Sequence, residues 1–147
     1  MKNFLIISLL FITACNRTPK TVQEQMTARH TVYYQAIDGK DTAWLTIDTA
    51  HRQMIGLLKF SYANQDKYDG EVKGVISGDT LKGHFNFKVN GIDKWYRNPV
   101  AFLKRDQKLV MGVGKFTLIW GSAYFDDAVP IDYDKGRFIF EEISGQP

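Results

Sequence analysis

The side chains able to carry chemistry are few and scattered. The chain holds one cysteine, Cys15, and three histidines, His30, His51 and His84. A lone thiol makes neither an internal disulfide nor a metal-ligand pair. His30 and His51 fall in polar stretches, where an exposed surface is the ordinary fate of a histidine. His84 sits between Lys82 and Asn86 on the polar side of an alternating segment. It becomes a ligand contact only if that side lines an interior. Carboxylates gather late in the chain, at Asp126, Asp127, Asp132, Asp134, Glu141 and Glu142. The stretch from Asp132 opens like a calcium loop, but its twelfth position is Ile143 rather than a bidentate glutamate. Turn-forming aspartates are the simpler reading. Glycoside hydrolysis needs two carboxylates at a set separation, and the spacing singles out no pair. Gly112–Thr117 is similar to a phosphate loop but lacks its G-K-[ST] ending, so a curved strand is expected. Serine-hydrolase, zinc-protease and C-x-x-C motifs are missing. A non-enzymatic module without cofactor or metal is therefore expected, with an enzyme of unrecognised site as the alternative.

Aromatic residues make up 14% of the chain. Trp44, Trp95, Trp120, Tyr33, Tyr34, Tyr96 and Tyr124 could floor a groove for a sugar or an apolar ligand, though core packing is the commoner role. Trp95, Tyr96, Tyr124 and Phe125 stand beside turns and have the better claim to exposure. The candidate ligand-facing set is His84, Asn86, Trp95 and Tyr96.

Strands must position these residues. From Thr31 onward apolar residues recur at a period of two, the mark of half-buried strands. Thr31–Ile37 and Thr42–Asp48 flank a D-G-K-D turn. Met54–Tyr62 and Gly70–Ser77 follow. Leu81–Val89 is the clearest case: Leu81, Gly83, Phe85, Phe87 and Val89 point one way, Lys82, His84, Asn86 and Lys88 the other. Asn90-Gly91 ends it as a turn. Pro99 marks Trp95–Lys104 as an edge or bulged strand. Lys108–Trp120 is expected as one strand bent at Gly112 and Gly114, with Val110, Phe116, Leu118 and Trp120 on one face, and Arg137–Ile143 as the last. About eight consecutive strands with short turns predict an antiparallel meander curled into a small open or closed barrel, with a β-sandwich as the alternative. Glycines inside the strands favour the strong curvature of a barrel.

The first fourteen residues differ in kind. Lys2 is the only charge before an uncharged stretch, Phe4–Ala14, of secretory-signal length and too short to span a bilayer. It ends in Ile12-Thr13-Ala14-Cys15, which resembles the lipobox of bacterial lipoproteins. The resemblance implies diacylglycerol attachment to Cys15 and cleavage before it, leaving no free thiol. It implies a lipid-anchored protein of the cell envelope facing the periplasm or cell surface, with the outer membrane favoured because no aspartate follows Cys15. A G-D-T-L turn and an A-F-L-K strand resemble those of small lipoproteins of Gram-negative bacteria with a compact β domain, over about Thr31–Gly114. The domain plan is thus a signal peptide over 1–14, a lipidated tether over 15–30, with a short helix over Val22–Arg29 as the alternative within it, and an all-β domain over 31–145.

The formal charge of +3 falls to +2 once Lys2 is removed, with the charges interspersed. Nucleic acid is disfavoured as a partner. The expected partners are the membrane, through the anchor, and either a small lipophilic or sugar ligand or an envelope protein, in which case the domain acts as an inhibitor or assembly accessory.

Overall fold

The structure, a computed structural model, describes residues 19–27 and 30–146. The expected signal peptide over residues 1–14 and the expected acyl site at Cys15 lie outside the described residues. Ten strands follow one short helix, α1 (Val22–Gln25). They are β1 (Thr31–Asp38), β2 (Asp41–Asp48), β3 (Gln53–Ser61), β4 (Lys67–Ser77), β5 (Thr80–Val89), β6 (Tyr96–Arg105), β7 (Lys108–Met111), β8 (Phe116–Ile119), β9 (Ser122–Phe125) and β10 (Ile139–Ile143). Eight of them close an antiparallel barrel in the order β1-β10-β7-β6-β5-β4-β3-β2, while β8 and β9 form a separate two-stranded sheet. The chain is an all-β protein built on a small closed barrel, and the sandwich alternative falls away.

Period-two alternation drives the closure. Leu45, Leu58 and Phe87 lie in one cross-strand row and Ile47, Val72 and Phe85 in the next, all nearly inaccessible to solvent. Burying each of these side chains contributes about 1.5–3 kcal/mol. One row has no side chains on two adjacent strands. Gly74 and Gly83 are register partners, and a Cβ on Gly83 would lie 2.1 Å from the Lys73 carbonyl oxygen. The two strands coil tightly there, and fully buried Met54 stands opposite Gly74 on β3.

One end of the barrel is plugged. Thr21 and Glu24 cap α1 reciprocally, and Val22 is completely buried against β3. The chain beyond α1 is tied down by Asp48 at the end of β2, whose carboxylate accepts from the Thr27 and Ala50 amides. Of the stretch expected to be a free tether, Val22–Gln25 is thus docked on the barrel. A short helix here is an alternative the sequence leaves open, but its docking is not legible, because a single buried valine and a capping box give too short a pattern to read as packing.

Asp48 couples the plug to pH. Burial alone would raise its pKa, but the Thr27 and Ala50 amides more than offset this and hold it below the ordinary carboxylate value. A folded-state pKa below the unfolded one gives stability that is present above about pH 4 and lost as pH falls through the folded value. Asp48→Asn, which mimics the protonated acid, should therefore lower the urea midpoint near neutral pH. The gap from the parent protein should narrow as pH falls from about 4 through the folded value. Urea titrations at neutral pH and over a descending acid series check this.

Two strand expectations are corrected. Lys108–Trp120 is not one strand: the barrel keeps only β7, and the chain leaves at Gly112 to form β8 in the other sheet. The inward residue is Leu109 rather than Val110, since Leu109 joins the main core cluster. Glycine at every second position leaves G-V-G-K without the apolar contrast that sets a strand's facing. Pro99 lies within β6, which pairs along most of its length with β5 but with β7 only from Phe102 to Arg105. Its half of the strand borders a seam, which is how a residue without an amide donor is accommodated in a barrel.

Candidate functional site at the barrel mouth

The end opposite the plug is open. β2 runs from Asp41 to Asp48 and the plug holds the Asp48 end, so the mouth lies where Asp41, Ser61 and Lys67 sit. Inward positions of the strands become aromatic there. Phe60, Tyr62, Tyr68, Phe85, Phe87 and Phe138 line a cavity of about 270 Å³, with Met111 and Val113 beside them at the seam. The rings form a continuous set. Phe85 stacks on Phe87 at 4.7 Å between centroids, Phe87 on Tyr68 at 5.2 Å, and Tyr62 meets Tyr68 edge-on at 5.1 Å. Such contacts rigidify the wall beyond what area burial gives.

The rim is polar. The Arg137 guanidinium, at the mouth, donates to Asp38 and Asp41 together and lies over the Phe138 ring. The Ala63 amide and then Arg137 hold the Asp41 carboxyl below its usual range. Both cross-links join the β1–β2 turn to the segment entering β10 and so brace the rim. Because Arg137 already faces two carboxylates, it offers little attraction to a free carboxylate or phosphate. Burial, and then the nearby Tyr68, raise the Tyr62 phenol, which stays a neutral donor at the rim. Asn98 adds an amide. Among the described residues no three His, Cys, Asp or Glu side chains gather to hold a metal ion. The arrangement suits enclosing an apolar group, with neutral hydrogen bonds at its edge.

The four candidate ligand-facing residues do not converge. Tyr96 alone reaches the mouth, stacking on Phe87 at 5.6 Å and 40% exposed. Trp95 stands outside it, with the Lys88 ammonium 4.9 Å above its ring. His84 and Asn86 are on the outer wall, since their neighbours Phe85 and Phe87 point inward. That wall is not simply solvated. The β8–β9 sheet lies against it, and the His84 ring meets Tyr124 edge-on at 5.0 Å across a cleft of about 470 Å³. His84 Nε2 is buried without a hydrogen-bond partner, and burial, then Arg97, push its pKa down. The imidazole is neutral at neutral pH and packs as an aromatic. Trp44 lies on the far outer wall beside Gln35, Thr46 and Lys59. Asp132 is used locally, its carboxylate accepting from the Asp134 and Lys135 amides as a turn aspartate does.

Phe60, Tyr62, Tyr68, Phe138 and Arg137 were not singled out as site residues by sequence. The signal available was Tyr62 continuing the inward row of Phe60: a phenol at the end of an apolar alternation places a polar tip at the rim. No family model matches the chain, and neither curated proteins nor solved structures show a significant match.

Proposed function

We propose that this is a lipid-anchored cell-envelope protein whose barrel receives a small, largely apolar ligand through its open end. The observation that carries the reading is the aromatic-lined cavity at the end of the barrel opposite a plugged one. Eight-stranded barrels are just wide enough either to fill with side chains or to hold one small ligand. Here the lower interior is filled and the mouth is not. Its volume is at the small end for ligand sites, which suits one ring or a short alkyl chain. The paired Arg137 favours an uncharged head group over a carboxylate. The lipobox-like sequence at Ile12–Cys15 supports the anchor and the envelope address.

Val113 lines the mouth and is 49% exposed, so Val113→Arg should obstruct entry with little effect on stability. An uncharged naphthylamine dye should show saturable fluorescence enhancement with the parent protein. Val113→Arg should weaken it by about tenfold or more, the equivalent of ~1.4 kcal/mol. Undiminished dye binding in this variant would move the site elsewhere. The anchor is tested separately. Cys15→Ala should abolish incorporation of radiolabelled fatty acid, since the chain has no other thiol; equal labelling of both proteins would rule the anchor out.

A further inference from the structure

The β8–β9 hairpin leaves the barrel as an uncharged arm. From Phe116 to Phe125 it has no Asp, Glu, Lys or Arg, and Lys115, Asp126 and Asp127 flank it. By register, Phe116 and Leu118 share one face with Ala123 and Phe125, while Thr117 and Ile119 share the other with Tyr124 and Ser122. Leu118, on the outward face, is 71% exposed, and Ile119, on the face turned toward the barrel wall across the His84 cleft, is still 49% exposed. Trp120, at the tip, is completely exposed. It also occupies an unfavourable backbone region. Trp120 and Gly121 have φ of 52° and 78°, the pair of positive values that a two-residue hairpin turn wants from Asn-Gly. A bulky aromatic there is strained, so folding alone does not account for it.

We propose that this hairpin is a membrane-contacting arm that places Leu118, Ile119 and Trp120 in the interfacial layer of a lipid bilayer. A partner protein or a second copy would cover the outward Leu118 face or the free edge of β8 and leave the fully exposed Trp120 tip beyond it. A bilayer surrounds the tip on every side, which matches an apolar residue at the end with one on each face behind it. Tryptophan favours that interface, where an apolar ring and a polar N–H are both satisfied. Reach agrees as well, on the lipid-anchored reading above. Six residues lie between Cys15 and docked Val22, at most about 25 Å of extended chain, so an acylated Cys15 keeps the barrel and its arm beside the bilayer.

The test uses residues 16–147, which contain every described element and lack the acyl site, so its outcome does not depend on lipidation. In a Trp44→Phe, Trp95→Phe background Trp120 is the sole tryptophan. Phosphatidylcholine vesicles with brominated acyl chains should shift its emission to the blue and quench it. Trp120→Ser with Leu118→Ser in the otherwise native sequence should reduce vesicle co-sedimentation by about tenfold or more. These side chains are exposed, so an unchanged urea midpoint should confirm that the variant is folded. Unquenched, unshifted Trp120 emission in the presence of vesicles would overturn the proposal. So would a dimer that the same substitutions dissociate, with no binding to lipid, because the occupant would then be a second copy.

Discussion

Phe85→Ala is expected to lower the stability of the barrel by about 3–5 kcal/mol. Phe85 is 3% exposed, stacks on Phe87 at 4.7 Å and meets Phe60 edge-on at 5.9 Å. Truncation removes its buried surface, leaves a void in the core and takes one partner from each of the Phe87 and Phe60 rings. The neighbouring Asn86 lies on the outer wall, half-buried, so Asn86→Ala should change stability by no more than ~0.5 kcal/mol. Small domains have a total of only about 5–15 kcal/mol, so the first variant should lose a large part of its urea midpoint and the second almost none. Equal damage from both would mean that the outer wall bears as much of the fold as the interior. Tolerance of both would remove β5 from the core.

Gly83→Val is expected to cost about 3 kcal/mol or more and to leave little folded protein. The new Cβ would meet the Lys73 carbonyl at 2.1 Å and the Gly74 Cα at 2.6 Å. Those are backbone atoms, which no rotamer change can move aside. Relief requires β4 and β5 to separate where the barrel curves. Gly78→Ala supplies the comparison. Its turn has φ of 58° but nothing within 4 Å of the added methyl, so only the backbone penalty of about 1 kcal/mol applies. Thermal and urea midpoints of the two variants should differ accordingly. A Gly83→Val protein as stable as Gly78→Ala would show that curvature is not concentrated at this pair.

These two residues also mark where the sequence is legible. Phe85 sits in an unbroken alternation, and its facing is read directly because every second residue from Leu81 to Val89 is apolar or glycine while those between are polar. The barrel class follows from several such segments joined by short turns. Legibility fails where alternation loses contrast. Gly112 and Gly114 hide the point at which the chain abandons the barrel, so Trp120 reads as sharing a strand face with Val110 and is instead fully exposed at the tip of the other sheet. The outer-wall position of His84 was legible, but its cover was not: Tyr124 is forty residues away, and only the third dimension brings it over the ring. The mouth is hidden for a related reason. Phe60 and Phe138 look like any core aromatics, and only the seam along β6 leaves space beside them.

The way the barrel closes has a consequence for its making. The first strand pairs with the last, Tyr33–Gln35 against Glu141–Ile143, so a contact separated by nearly the whole chain completes the wall. A polypeptide emerging from its amino end can zip β1 to β6 hairpin by hairpin as it appears. It still holds two raw strand edges until β10 arrives. High sequence separation of this kind slows folding, and open edges invite pairing with other chains meanwhile. The vulnerable interval is therefore the one before β10 joins the wall, and whatever assists biogenesis must shield β1 for that long.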